Sequence, residues 1–187
     1  AGNRRDNELH SAEAVNLAEQ LGAIGCERLT LLGGEPFVRE DWEAINEALR
    51  HSGIRTNVIS NGWLTAERGM MQRIKESGLE NLSLSIDGLQ ERHDALRRMK
   101  GSYERILKSY DLANEFGIPI SASTAVTKPS MEDMEPLYQV LLDKGVTVWQ
   151  VQIVSPLGRL ERDDPLLLSG DDCIQLDEFL TKKQEEG

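Results

Sequence analysis

The stretch that decides the fold is residues 28–62, which read RLTLLGGEPFVREDWEAINEALRHSGIRTNVISNG. A strand-length apolar run from Arg28 to Leu32 opens it, and a second run from Arg55 to Ile59 lies near its end. Between these runs, apolar residues from Trp42 to Leu49 recur at the spacing of one helical face. The stretch therefore predicts one strand–helix–strand unit.

The same unit recurs along the rest of the chain. Further strand-like runs occur at Leu82 to Ile86, Ile118 to Val126 and Thr147 to Val154. The helical segments between strands are predicted to end on glycine, at Gly22, Gly53, Gly78, Gly117 and Gly145. Two pairs have the spacing of a helix-starting capping box, Ser130 with Asp133 and Ser169 with Asp172. This alternation predicts an α/β fold with a parallel sheet, and the spacing leaves open whether the sheet is doubly wound or curled into a barrel.

The two ends of the chain depart from this alternation. The first predicted helix, from about Ser11 to Leu21, has no strand before it. After Val154 the pattern loosens, and a last amphipathic helix is predicted from about Gly170 to Gln184. We expect residues 1–160 to form the core of one domain and residues 161–187 to add a linker and a helix to it.

Composition narrows the classes of function. A net charge of −11 disfavours nucleic-acid binding, which relies on clustered Lys and Arg. No apolar run approaches the roughly 20 residues of a membrane span, and no secretory signal opens the chain. Cys26 and Cys173 lie far apart, which suits a reducing compartment better than a disulfide framework. These features predict a soluble, cytoplasmic protein that binds neither nucleic acid nor a membrane.

Polar and turn-forming residues follow every predicted strand. The five clusters are Gly33-Gly34-Glu35-Pro36, Ser60-Asn61-Gly62, Ser85-Ile86-Asp87-Gly88, Thr124 to Lys128, and Ser155-Pro156-Leu157-Gly158-Arg159. In parallel βα folds the loops after the strands meet at one edge, where ligands bind. The clusters therefore predict a shared pocket.

Each cluster also has an ordinary structural explanation. Glycine and asparagine after strands are common turn formers. Glu35 follows two glycines and is suited to a cationic amine, because the backbone there can approach a ligand closely. Asp87 either accepts hydrogen bonds from ligand hydroxyls or caps the turn at Gly88. His93 is expected at the surface, because a lone histidine in such a loop is more often exposed than a ligand or a base. Arg97 is suited to pairing with a carboxylate.

Taken together, the clusters resemble the radical S-adenosylmethionine superfamily. This resemblance is carried by Leu31-Leu32-Gly33-Gly34-Glu35-Pro36, Ser60-Asn61-Gly62, Ser85-Ile86-Asp87-Gly88 followed by His93 and by Arg97 to Gly101, and Ser155-Pro156-Leu157-Gly158-Arg159. It covers nearly all of Leu9 to Leu160. It is strongest to the branch of peptide maturases, sulfatase-activating enzymes and cofactor-biosynthesis proteins. The resemblance implies a partial (β/α) TIM-like barrel with parallel strands. The first strand of the family and the loop that holds its iron–sulfur cluster are missing from this sequence.

The resemblance also implies a chemistry and its partners. Such enzymes cleave S-adenosylmethionine reductively with a [4Fe–4S] cluster, and the resulting 5′-deoxyadenosyl radical removes hydrogen from a substrate. The implied partners are a small-molecule or peptide substrate and an electron donor such as flavodoxin or ferredoxin.

Site residues are carried over from the family by motif. Gly33, Gly34 and Glu35, followed by Pro36, match the motif that receives the methionine amino group of S-adenosylmethionine. Ser85 and Arg97 resemble contacts to its carboxylate, and Asn61 and Asp87 would line the neighbouring pocket. Thr124, Val154 and Pro156 are the matches for ribose and adenine contacts.

The sequence departs from the family at the ligands of the iron–sulfur cluster. The family holds its cluster with a CxxxCxxC loop, whereas this sequence has two isolated cysteines, so neither is assigned as a ligand. We expect a truncated part of a longer enzyme, inactive alone and binding S-adenosylmethionine weakly. One alternative is a cluster-free relative that serves as a binding or scaffold module for a peptide or protein partner. A metal-dependent barrel hydrolase using Glu35, Asp87 and His93 is disfavoured because no close histidine pair accompanies them.

Overall fold

The computed structural model describes residues 7–156 and 164–186. Leu157, Gly158 and Arg159, which complete the fifth predicted cluster, lie outside the described residues. No helix in the described part of the chain combines the length and the apolar character that a membrane span requires. The division at residue 160 stays a prediction.

The described strands form one five-stranded sheet. They are β1 (Arg28–Leu31), β2 (Arg55–Ser60), β3 (Asn81–Ser85), β4 (Ile120–Val126) and β5 (Trp149–Ile153). All five predicted strands are confirmed, with ends that differ by up to two residues. The fourth starts later than predicted, because ladder pairing with β3 begins at Ile120, directly after Pro119.

The helices alternate with the strands. They are α1 (Ser11–Ala23), α2 (Trp42–His51), α3 (Arg68–Ser77), α4 (Gln90–Arg97), α5 (Ser102–Phe116), α6 (Met134–Asp143) and α7 (Gly170–Glu186). Short 3-10 segments cover Pro36–Val38 and Lys128–Asp133. Each connection between consecutive strands therefore contains at least one helix, as parallel strands require.

Strand order decides between the two sheet architectures that the sequence left open. The order is β1-β2-β3-β4-β5, and every neighbouring pair is parallel. Right-handed crossovers that always advance in one direction place their helices on the same face of the sheet. A doubly wound sheet would need a reversal of that direction. The sheet is thus a curled half-barrel, which confirms the predicted partial barrel.

Alternation along the strands separates the two faces of the sheet. The helix-covered face contributes buried side chains that pack with Ile106, Tyr110 and Leu137, namely Val58, Leu82, Leu84, Ile86, Ile120 and Ala122. The intervening residues point to the concave face. They are mostly neutral and polar, among them Asn57, Asn81, Ser83, Ser121 and Gln150. Across that face, Asn81 Nδ2 donates to Ser121 Oγ at 2.8 Å.

Two predictions are wrong, one about the end of α1 and one about the residues that cap the segment before α6. α1 continues through Gly22, and the first left-handed residue after it is Gly25. Gly22 instead lies against Ser52, so the missing side chain permits close packing next to α2. The capping box before α6 uses Thr127 with Ser130, because the carboxylate of Asp133 is engaged by the loop after β3.

The other predicted helix starts and ends are confirmed. The backbone is left-handed at the remaining predicted helix-ending glycines, Gly53, Gly78, Gly117 and Gly145. At the start of α7, Ser169 N donates to Asp172 Oδ2 at 2.8 Å, and Asp172 N donates back to Ser169 Oγ at 3.2 Å. This reciprocal pair is the predicted capping box.

Candidate functional site

The loops after β1, β2 and β3 meet at one edge of the half-barrel. Parallel registry pairs Leu31 with Val58 and Ser60 with Leu84, so the carboxyl ends of these strands lie side by side. Of the predicted site residues, Glu35 and Asn61 are in direct contact, and so are Asp87 and Arg97. The edge therefore carries two polar groups, one on Glu35 and one on Asp87.

The first group is built on the carboxylate of Glu35. Its Oε2 accepts from the backbone N–H of Asn61 at 2.8 Å, and its Oε1 accepts from Ser60 Oγ at 2.9 Å. These contacts span 25 to 26 residues of sequence and hold the carboxylate over the end of β2. A half-buried carboxylate fixed by neutral donors keeps its negative charge available to a cation.

The backbone before Glu35 is open to a ligand. A side-chain carbon added at Gly33 or Gly34 would meet no other atom within 4 Å. Both glycines are exposed, and Pro36 begins the 3-10 segment that turns the chain away. The backbone that leads into Glu35 is therefore unobstructed, so a ligand could approach it closely.

Asn61 and Ser60 have complementary roles in the loop after β2. Asn61 Oδ1 accepts from the N–H of Trp63 at 2.9 Å, which closes a local turn. Ser60 is buried, and its hydroxyl also accepts from the N–H of Gly62 at 3.2 Å. Ser60 was not predicted as a site residue, because only the folded chain brings its hydroxyl to Glu35.

The second group is an ion pair between Asp87 and Arg97. Arg97 Nη2 lies 2.6 Å from Asp87 Oδ2, and Asp87 Oδ1 accepts from the N–H of Ala125 on β4 at 3.0 Å. The Asp87 side chain is 7% exposed, whereas that of Arg97 is 34% exposed. Ser85 is half-buried at the end of β3. The guanidinium is thus anchored on one side and accessible on the other.

The loop from Ile86 to Leu89 is held by side chains of three other segments. Thr124 Oγ1 donates to the Ile86 carbonyl at 2.6 Å, and the N–H of Asp87 donates to His93 Nδ1 at 3.1 Å. The N–H of Leu89 donates to Asp133 Oδ2 at 2.8 Å. The supporting roles of His93 and Asp133 were not predicted from the sequence, because each depends on a contact formed only in the folded chain.

Thr124 lies on the helix-covered face, where it is fully buried. Its hydroxyl accepts from Trp149 Nε1 at 2.8 Å while donating to Ile86. The hydroxyl therefore points away from the concave face, and any effect of Thr124 on a ligand would act through the Ile86 carbonyl.

His93 is buried inside α4 instead of lying at the surface as the sequence predicted. Its Nε2 has no hydrogen-bond partner among the described residues. Burial lowers the pKa of His93 to about 4, although the nearby Asp87 carboxylate opposes that shift. The imidazole is therefore neutral near pH 7, and a neutral ring whose Nδ1 accepts a hydrogen bond carries its proton on Nε2.

The remaining predicted site residues, Val154 and Pro156, follow β5 at the far end of the strand order. Val154 follows β5 and its N–H donates to the Val126 carbonyl at 3.2 Å, which extends the pairing of β5 with β4. Pro156 is exposed. No hydrogen bond between described residues joins either of them to Glu35 or to Asp87.

The described residues provide no metal centre. Within residues 7–156 and 164–186, no three or more His, Cys, Asp or Glu side chains are grouped closely enough to hold a metal ion. Cys26 precedes β1 at the opposite end of the sheet, Cys173 lies in α7, and both thiols are free. The Glu35, Asp87 and His93 set of a barrel hydrolase does not form a metal site here, since the buried His93 directs its Nδ1 at a backbone N–H.

Comparison with known proteins places the chain among relatives of one family. The family model of the Radical SAM superfamily matches residues 1–141. The AdoMet-dependent heme synthase of Methanosarcina barkeri is 30% identical over 158 residues, covering 84% of this chain and 45% of that protein. The PqqA peptide cyclase of Rhizobium meliloti is 28% identical over 163 residues, covering 86% of this chain and 43% of that protein. The chain thus spans less than half the length of these curated relatives.

Solved structures share the fold. Streptococcus suis SuiB bound to S-adenosylmethionine superposes with a TM-score of 0.80 at 20% identity, covering 98% of this chain and 43% of SuiB. SuiB bound to precursor peptide SuiA superposes with a TM-score of 0.81. At this level of identity the similarity shows a common fold.

Proposed function

The chain belongs to the radical SAM superfamily, and we propose that it forms the S-adenosylmethionine-binding part of a longer enzyme of that family. The observation that carries this proposal is the pair of polar groups at one edge of the half-barrel. An anchored carboxylate at Glu35 and an anchored guanidinium at Arg97 are complementary to the amino and carboxylate groups of one amino-acid ligand.

Each residue at the edge has a role in this proposal. Glu35 accepts from the methionine ammonium of S-adenosylmethionine, in the open space beside Gly33 and Gly34. Arg97 and the Ser85 hydroxyl donate to the methionine carboxylate. Asn61 and Asp87 would line the neighbouring part of the ligand site. Thr124 would act there through the Ile86 loop that it holds, and the backbone at Val154 and Pro156 would contact ribose and adenine.

The [4Fe–4S] cluster of the family does not fit the residues of this chain. Cluster irons are held by cysteine thiolates, whereas this chain has only two cysteines, Cys26 before β1 and Cys173 in α7. We place the ligands in a part of the whole protein outside these 187 residues. The cluster would supply the electron for reductive cleavage of S-adenosylmethionine to a 5′-deoxyadenosyl radical, drawing on a donor such as flavodoxin or ferredoxin.

The proposed substrate is a small molecule or a peptide. The relatives include a heme synthase and a peptide cyclase, and SuiB has been solved with a precursor peptide. The concave face offers neutral polar side chains such as Asn57 and Gln150 to such a substrate. The proposed location of the whole protein is the cytoplasm.

Replacing the carboxylate of Glu35 tests the proposal. We expect Glu35→Gln in the full-length protein, reconstituted anaerobically with iron and sulfide, to lower kcat/KM for S-adenosylmethionine about tenfold or more. The reason is that a hydrogen bond between charged groups contributes about 1.5–3 kcal/mol. The measurement is the rate of 5′-deoxyadenosine formation with dithionite as reductant.

Glu40→Gln is the matched control, because Glu40 is an exposed glutamate five residues further along the chain. This variant should behave as wild type. If the reconstituted wild-type protein holds no cluster and forms no 5′-deoxyadenosine, the proposal is wrong and the cluster-free binding module becomes the working hypothesis.

A further inference from the structure

The helix that carries Arg97 contacts Asp87 twice. His93 and Arg97 are four residues apart in α4, so their side chains lie on the same face of the helix. His93 Nδ1 accepts from the Asp87 backbone N–H at 3.1 Å, and Arg97 Nη2 lies 2.6 Å from the Asp87 carboxylate. One helical turn therefore fixes both the backbone and the side chain of the residue that anchors the guanidinium.

The unused nitrogen of His93 shows which of its atoms matters. Nε2 is buried and has no partner among the described residues, although leaving a buried N–H without a partner is unfavourable. A leucine or methionine of similar size would avoid that loss. The specific contribution of the histidine is the acceptor at Nδ1, which burial keeps unprotonated by lowering the pKa of the ring to about 4.

We propose that His93 is a positioning residue, which fixes the Asp87 backbone through Nδ1 and thereby sets where Arg97 meets the carboxylate of S-adenosylmethionine. This inference rests on the proposed function for its ligand. The hydrogen bond between His93 and Asp87 is independent of that ligand. Because His93 acts through Asp87 and Arg97, its loss should weaken substrate binding more than it slows turnover.

A pair of amide substitutions separates the acceptor from the rest of the ring. In His93→Asn the side-chain oxygen can occupy the place of Nδ1, whereas in His93→Gln the acceptor moves out towards Nε2. We expect His93→Gln to raise KM for S-adenosylmethionine about tenfold with kcat within about twofold, as loss of one hydrogen bond predicts. His93→Asn should stay within about threefold of wild type in KM.

The measurement is steady-state formation of 5′-deoxyadenosine by the reconstituted full-length protein. His51→Gln is the control, because His51 is an exposed histidine on α2 and is expected to leave both constants unchanged. A merely structural role for His93 would make the two amide variants alike, since each replaces the ring with a shorter or more flexible polar side chain. Equal KM values for them would overturn the proposal.

Nuclear magnetic resonance gives a readout that needs neither cluster nor turnover. In the wild-type chain labelled with ¹⁵N-histidine, we expect His93 to carry its proton on Nε2 and to have an unprotonated Nδ1 at pH 7. A protonated Nδ1 would contradict the proposal directly. Failure of the wild-type enzyme to use S-adenosylmethionine would overturn the proposed function and the role of Arg97 towards that ligand, whereas the tautomer would still report on the contact between His93 and Asp87.

Discussion

Gly62 connects the loop that holds Glu35 to the helix behind it. Its backbone is left-handed, with φ of 79°, and a side-chain carbon there would collide with Ile106 of α5. Its carbonyl accepts from Ser109 Oγ at 3.1 Å, and its N–H donates to the Ser60 hydroxyl. A single residue without a side chain thus allows the Ser60–Asn61 segment to lie directly on α5.

Substitution of this glycine should be costly for two separable reasons. We expect Gly62→Ala to lower the free energy of unfolding by about 3 kcal/mol, from left-handed strain plus overpacking against Ile106. Gly101→Ala should cost only about 1 kcal/mol, from left-handed strain alone, because Gly101 has φ of 84° but no other atom within 4 Å of an added carbon. Urea denaturation of the two variants measures the difference, and equal losses would show that the contact with Ile106 is unimportant.

At the scale of elements, the connection from α4 to α5 is organised by one carboxylate. Asp94 accepts from the N–H of Gly101 at 2.6 Å, from the N–H of Tyr103 at 2.9 Å and from Ser102 Oγ at 3.0 Å. Burial of Asp94 opposes ionisation, but these hydrogen bonds outweigh it and the pKa of the carboxyl is lowered. The start of α5 is therefore fixed relative to the end of α4, where Arg97 lies.

Weakening this connection should destabilise the junction. We expect Asp94→Asn to lower the free energy of unfolding by about 1–2 kcal/mol, because the amide loses the charge-assisted acceptor and turns one oxygen into a donor. Asp111→Asn is the control, since Asp111 forms an exposed ion pair with Lys144 and should cost less than about 0.5 kcal/mol. Chemical denaturation at pH 7 gives both values, and similar losses would mean that Asp94 does not organise the junction.

At the scale of the whole molecule, His93 links stability to pH. Burial lowers the pKa of His93 from its ordinary value of 6.5 to about 4 in the folded chain, so the unfolded chain binds more protons between these two values. Stability from this residue is therefore complete above about pH 6.5 and declines as the pH falls towards 4. Below pH 4 both states are protonated and the loss is complete.

The expected size of this effect is about 3 kcal/mol between pH 7 and pH 4, from about 1.4 kcal/mol for each unit of pKa difference. His93→Asn should remove this part of the dependence, because asparagine does not titrate. Urea denaturation of both proteins at half-unit steps from pH 7 to pH 4 measures it. Parallel curves for wild type and variant would show that His93 is not the residue responsible.

The sequence alone determined the succession of strands and helices, because strand and helix periodicity and turn residues act over a few neighbouring positions. The same local patterns placed Glu35, Asn61 and Asp87 after strands, and motif resemblance identified the family. These local patterns located the ends of the strands only to within two residues. At Ile120, for example, pairing with the neighbouring strand sets the start of β4.

Only the tertiary structure decided how these pieces meet. Strand order, which depends on pairings between distant segments, distinguished a half-barrel from a doubly wound sheet. The contacts of Glu35 with Ser60 and of Leu89 with Asp133 join residues 25 and 44 positions apart, so no local pattern reports them. The direction of the Thr124 hydroxyl and the burial of His93 follow from which face of the sheet the helices cover, and that is a property of packing, not of the order of residues.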